Sequence, residues 1–196
     1  MPACRRRNQR GLAALLGVTA GLLVLAGGFL WMLGGAGPPA AGGLGGPFRL
    51  QASDGRVVTE RSFPGRTLLI YFGYASCQDV CPVTLSAVAD ALQTLGGRGD
   101  RIQPLFITID PARDTPAVLK GYVAGFSPRL LGLTGTPDEL RQVRREYHIA
   151  SSIRPGGLLD HTSVLLLVGP DGRLLAPIRA DEDGAAMAAD IARHLL

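Results

Sequence analysis

An α/β domain, with a mixed sheet covered by helices on both faces and a single hydrophobic helix ahead of it, is what this sequence predicts. Three observations carry that expectation. Residues 67–72 are a continuous apolar run of strand length, as a strand covered on both faces requires, and residues 102–109 read as a second buried strand. Segments of helical periodicity follow each, and such alternation implies parallel strands joined by right-handed crossovers. Residues 11–33 hold no charged side chain, and as a helix at about 1.5 Å per residue they would span about 34 Å, against a hydrocarbon core of about 30 Å.

The elements read as follows. Residues 1–10 form a basic N-terminus with Arg5, Arg6, Arg7 and Arg10. Arginines before an apolar helix leave the N-terminus in the cytoplasm and send the rest across. Trp31 stands at the far end of the helix, where an interfacial aromatic belongs. A cleaved signal peptide is the alternative; its apolar region is usually shorter. Both place the following domain outside a bacterial inner membrane, facing the periplasm. Residues 34–47, rich in Gly, Ala and Pro with Leu44 as the only larger apolar residue, make a flexible tether. A domain follows over 48–196.

Within it, residues 48–59 alternate around Asp54-Gly55, a hairpin signal. The first buried strand, 67–72, runs into a loop at 73–81. Pro82 suits the first position of a helix, whose face carries Leu85, Val88, Leu92 and Leu95 until Gly96-Gly97 stops it. The second buried strand, 102–109, is followed by a helix capped at Asp114 or Thr115, with Pro116 at its start. A short strand at 130–133 precedes a helix opened by Pro137, with Leu140, Val143 and Tyr147 inward. Residues 163–168 form an apolar strand, Pro170-Asp171-Gly172 turns the chain into a partner strand at 173–178, and a helix from about 183 closes the domain. A thioredoxin-like fold is one arrangement of this kind; the pattern alone does not single it out.

Charge excludes one class of function. The four N-terminal arginines account for the whole net charge of +4, so the domain is balanced and carries no sign of nucleic-acid binding.

The chemistry concentrates at Phe72-Gly73-Tyr74-Ala75-Ser76-Cys77-Gln78-Asp79-Val80-Cys81-Pro82. Two cysteines separated by three residues lie between a buried strand and a helix N-terminus. Sites in open parallel sheets form outside the carboxyl ends of strands, and helix N-terminal N–H groups favour thiolates. Both sulfurs are therefore expected to be more acidic than a free cysteine. The pair can close into a disulfide or chelate a metal. A purely structural bridge is disfavoured, because so short a loop constrains the unfolded chain little. Cys4, on the far side of the apolar helix, reads as a bystander.

His161 precedes the strand at 163–168 and is expected on a loop at its end. A lone histidine is usually structural. Beside two thiols it becomes a candidate ligand, and two thiolates with one imidazole suit copper or zinc, soft sulfur favouring Cu(I). Structural zinc would want a fourth ligand; His148 and His194 read as surface or helix-end residues. Asp110-Pro111-Ala112-Arg113-Asp114-Thr115 should lie near the cysteine loop, with helix capping as the favoured role and support of the metal ligands as the alternative. Asp79, between the cysteines, is a candidate for tuning their acidity or touching a partner.

At these residues the chain resembles the Sco/SenC family, copper proteins of cytochrome c oxidase assembly. The matching blocks are Gly46-Pro47-Phe48-Arg49-Leu50, Tyr71-Phe72-Gly73-Tyr74 before Cys77, Asp79-Val80-Cys81-Pro82, Asp110-Pro111 with Arg113-Asp114-Thr115, Leu133-Thr134-Gly135-Thr136, and Asp160-His161. The resemblance implies a thioredoxin-like fold and one copper ion, Cu(I) or Cu(II), held by Cys77, Cys81 and His161. It implies an oxidase subunit bearing the CuA site as client; another periplasmic copper carrier is a candidate further partner. The protein would deliver the metal there or reduce that site's cysteines, Cys77 and Cys81 then being the redox pair. Two departures stand out: Gln78, where the family usually has proline, and a short stretch at 150–159.

Three other readings compete. A thiol–disulfide reductase would use the same sulfurs and dispense with His161. A peroxiredoxin relative would want threonine where Tyr74 stands, and a glutathione-peroxidase relative a tryptophan in the domain. A binding module without chemistry would tolerate loss of Cys77.

Overall fold

The computed structural model describes residues 45–153, 159–161 and 163–195. The basic N-terminus, the expected membrane helix and nearly all of the tether lie outside the described residues. No described helix is long and apolar enough to cross a membrane.

Among the described residues, nine strands and four α-helices follow in order: β1 (Arg49–Ala52), β2 (Val57–Thr59), β3 (Thr67–Gly73), α1 (Val80–Thr94), β4 (Ile102–Thr108), α2 (Pro116–Ala124), β5 (Leu131–Thr134), α3 (Pro137–Glu146), β6 (Ser151–Ile153), β7 (Leu159–His161), β8 (Val164–Val168), β9 (Leu174–Arg179) and α4 (Gly184–His194). Seven of the strands form one sheet in the order β2-β1-β5-β4-β3-β8-β9. The centre is parallel, β3 on β4 and β4 on β5, while β1, β2, β8 and β9 are antiparallel to their neighbours. This is the expected mixed sheet. Its central strands are buried along most of their length, β3 at every residue, which explains why β3 reads as an unbroken apolar run rather than an alternating one.

Strand alternation separates two faces. Tyr71 pairs with Phe106 and Phe106 with Gly132. On that face lie α1, α2 and α4: Tyr122 of α2 packs on Phe106 with ring centroids 5.5 Å apart, and α4 begins against α1, where a Cβ on Gly184 would meet Asp90 and Ala87. Phe72, Ile107 and Leu133 point to the opposite face, where Phe72 meets Tyr147 just beyond α3 at 5.9 Å. Helices thus cover both faces.

Helix ends follow the sequence signals. Thr115 caps α2 by accepting from Val118 N–H, with Pro116 at its first position. Thr136 and Glu139 form a reciprocal capping box on α3, after which Pro137 starts the helix. The residues at 45–46 are tied to the end of α3, Gly46 C=O accepting from the Tyr147 hydroxyl at 3.0 Å.

Three expectations need correction. Pro82 is the third residue of α1, not the first, so Cys81 sits inside the first helical turn rather than on the preceding loop. The stretch before His161 contains a two-stranded hairpin, β6 with β7, that sequence patterning missed because each strand is only three residues long. His161 is accordingly the last residue of β7 and not a loop residue.

Candidate metal centre

The site grows from the junction of β3 and α1. Strand β3 ends at Gly73, and Gly73 C=O accepts from Ile109 N–H at 2.8 Å, so the chain leaves the sheet alongside the end of β4. Cys77 N–H then donates to Tyr74 C=O at 3.1 Å, a tight turn that folds the loop back toward α1. A Cβ on Gly73 would lie 2.9 Å from Cys81 Sγ and 2.8 Å from Phe106 Cε2. Only a residue without a side chain lets the first turn of α1 approach the strand this closely.

Cys77 and Cys81 are both reduced thiols, buried, and hydrogen-bonded to each other. Their environments differ. Burial pushes the Cys77 thiol up, but backbone N–H groups of Asp79 and Cys81, the Cys81 thiol and the Tyr74 hydroxyl all donate to its sulfur, and the balance lies below the ordinary thiol range. Cys81 is fully buried, and that burial dominates: its thiol is pushed up to about 12, with the adjacent Cys77 sulfur adding to the rise and Tyr74 N–H and the Tyr71 hydroxyl opposing it. The Tyr71 hydroxyl reaches Cys81 Sγ at 3.8 Å. The expectation of two acidified sulfurs therefore holds for Cys77 alone. At Cys81 the loss of water outweighs the helix N-terminus.

The stretch after β4 braces the loop. Asp114, 1% exposed, accepts from Ala75 N–H at 3.0 Å and from the Thr108 hydroxyl at 2.5 Å. Thr108 in turn accepts from Asp110 N–H at 2.9 Å. Capping of α2 falls to Thr115, which leaves Asp114 as the strut between β4 and the cysteine loop, two residues from Cys77. Burial raises the Asp114 carboxyl above the usual carboxylate range, while the bonds from Thr108 and Ala75 pull it back. Asp110 pairs with Arg113 at the surface.

The remaining candidates sit as follows. Asp79 is exposed and is the N-cap residue of α1, but its side chain makes no capping hydrogen bond. Gln78 is exposed. His148 follows α3 in the left-handed region at φ 52°, and His194 ends α4, 3.8 Å from Asp190; neither belongs to the site. His161 ends β7, three residues before β8 begins at Val164. Strand β8 runs antiparallel to β3 with Leu165 opposite Tyr71, so the chain arriving from β7 enters the sheet at the edge where β3 leaves for the cysteines. Among the described residues no cluster of three or more ligating side chains occurs. A cleft of about 420 Å³ opens elsewhere, between β1, β5 and the starts of α2 and α3; it is lined by Asp114 but by neither cysteine.

Two residues that sequence reasoning passed over matter here. Gly73 stood within a matching motif block but was given no role of its own. Tyr122, within the helix that starts at Pro116, was given no role by the sequence.

The model of the SCO1/SenC family matches residues 37–196. The chain belongs to the SCO1/SenC family. It is 41% identical over 160 residues to the mitochondrial SCO1 homolog of Homo sapiens, covering 78% of this chain and 53% of that protein. This SCO1/SenC chain thus spans about half the length of the curated relatives it matches. The crystal structure of Arabidopsis thaliana ScoI with copper bound superposes with a TM-score of 0.73 at 34% identity, covering 77% of this chain and 97% of that one. BsSco, described as carrying a disulfide switch and as a member of the Sco family of cytochrome c oxidase assembly proteins, superposes with a TM-score of 0.64 at 25% identity, covering 81% and 96%.

Proposed function

We propose that this SCO1/SenC protein is a copper chaperone for assembly of the CuA site of cytochrome c oxidase, holding one copper ion through Cys77, Cys81 and His161. The observation that carries the reading is the reduced, buried thiol pair at the strand–helix junction. Two soft sulfurs that replace water around a cation suit Cu(I), and the copper-bound structure of a relative at 34% identity uses the same fold. Cys77 is primed to bind as thiolate. Cys81, raised by burial, gives up its proton as the metal binds, so loading releases protons and weakens as pH falls. His161, at the end of β7, would supply the nitrogen donor that Cu(II) favours. The domain would work in the periplasm, held to the inner membrane by the helix at 11–33, with an oxidase subunit as client and another copper carrier as donor.

The test is metal analysis of the full-length protein. One copper per chain is expected, and Cys77→Ser or Cys81→Ser abolishes it. His161→Ala weakens Cu(I) by roughly a hundredfold, about 2.7 kcal/mol, while the Cys77–Cys81 disulfide still forms. Wild-type retention of Cu(I) and Cu(II) by His161→Ala would remove the histidine from the ligand set.

The asymmetry of the two thiols supports a second reading, a thiol–disulfide reductase for the same oxidase cysteines. The Cys77 thiolate would attack a client disulfide and release one client thiol. Cys81, losing its proton, would then displace the other, leaving a Cys77–Cys81 disulfide and a reduced client. Full reductase activity in His161→Ala together with no copper uptake by the wild type would favour this reading.

A further inference from the structure

The aromatic layer beneath the cysteines contains a buried hydroxyl with no partner among the described residues. Tyr71, Phe106, Tyr122 and Phe126 follow one another across the face that carries α1 and α2, with successive ring centroids 6.2, 5.5 and 5.2 Å apart. The layer starts at Cys81, whose sulfur the Tyr71 hydroxyl touches and beside which Phe106 lies under Gly73. Among the described residues, the Tyr122 hydroxyl is buried and makes no hydrogen bond. Buried polar atoms are almost always paired, and one that is not calls for a partner present in another state of the molecule. Burial first, and then the nearby Cys81, Cys77 and Asp114, disfavour its ionised form. The group is therefore a permanent donor within electrostatic reach of both sulfurs.

We infer that the Tyr122 hydroxyl is a positioning donor for the cysteine pair: it bonds a cysteine sulfur once that sulfur is a thiolate, as it is when holding a soft metal cation. This deepens the copper reading and rests on it for the metal-loaded state. The dithiol offers little to such a donor, because an S–H sulfur is a weak acceptor. A thiolate is a strong one, and a bond from a neutral hydroxyl to it is charge-assisted. The hydroxyl thus costs the empty protein a little and stabilises the loaded one. The surrounding rings hold it in place without competing for the proton.

Tyr122→Phe tests this in the full-length protein, since it keeps the ring packing and removes one oxygen. Competition with a chromophoric Cu(I) chelator is expected to show about tenfold weaker binding. Equilibration with a glutathione redox buffer near pH 8 is expected to show the disulfide favoured by a factor of a few, because the reduced thiolate has lost its donor. The melting temperature of the metal-free dithiol form stays the same or rises, which a merely structural tyrosine would not allow. Unchanged Cu(I) affinity and an unchanged glutathione equilibrium would overturn the inference while leaving the copper reading intact. If the wild type bound no copper, the copper reading would fall, and the glutathione arm alone would decide for or against the tyrosine.

Discussion

The two faces of the central sheet are built from the same strands and serve different ends. The face under α3 is packing. Phe72, Ile107 and Leu133 are buried there, Phe72 meets Tyr147, and the Tyr147 hydroxyl bonds Gly46 C=O to fasten the start of the domain. The face under α1 and α2 gives up packing for access to sulfur. Gly73 replaces a side chain, Thr108 and Asp114 bury polar atoms, and Tyr122 keeps an unpaired hydroxyl. Adjacent residues on one strand, Phe72 and Gly73, thus belong to different problems. The comparison teaches that core position alone does not sort structural from chemical residues; the face of the pleat does.

Substitutions can break that division or sharpen it. The largest expected effect is Phe72→Ala, which opens a cavity on the packing face and costs about 3–5 kcal/mol, read by chemical denaturation. The copper affinity of the folded fraction should not move; a parallel loss of affinity would mean the two faces are not separable. Gly73→Ala, one residue on, costs less in stability, about 1–3 kcal/mol from overpacking, but pushes directly on Cys81 Sγ. Its Cu(I) affinity should fall by roughly tenfold or more, since tenfold needs only about 1.4 kcal/mol. Chelator competition reads it, and stability lost without affinity lost would show that the sulfur has room to shift.

The smallest effect concerns Asp114. Replacing it with alanine strips the acceptor from Ala75 N–H and Thr108, costing about 1–3 kcal/mol, and asparagine should recover part of that. The pH dependence has a definite sign. Burial raises the Asp114 carboxyl, so the folded protein holds that proton more tightly than the unfolded chain. The resulting stability is complete below the ordinary carboxyl range and is lost as pH rises through the raised one. Thermal melts of wild type and Asp114→Asn between about pH 3 and 7 should differ by that declining component; parallel curves would show that Asp114 ionises normally.

Much of this molecule was legible in its sequence. The parallel centre, the hairpins at Asp54-Gly55 and Asp171-Gly172, and the helix starts at Pro116 and Pro137 each came from signals confined to a few neighbouring residues. The cysteine pair came from spacing, and the family from motif blocks. Less legible were features that depend on contact between distant segments. The hairpin before His161 is too short for periodicity to register. Asp114 looked like a cap because the cap and the strut are adjacent, and only its bond to Ala75, 39 residues away, separates them.

Local chemistry is what a sequence determines by itself: which stretches bury apolar surface, where helices can start, and that Cys77 and Cys81 share one turn's neighbourhood. Only the tertiary structure decided how unlike those two sulfurs are. Acidity depends on how much water is excluded and which N–H groups point at each atom. Both follow from the strand, the helix and the aromatic layer closing on the same few ångströms.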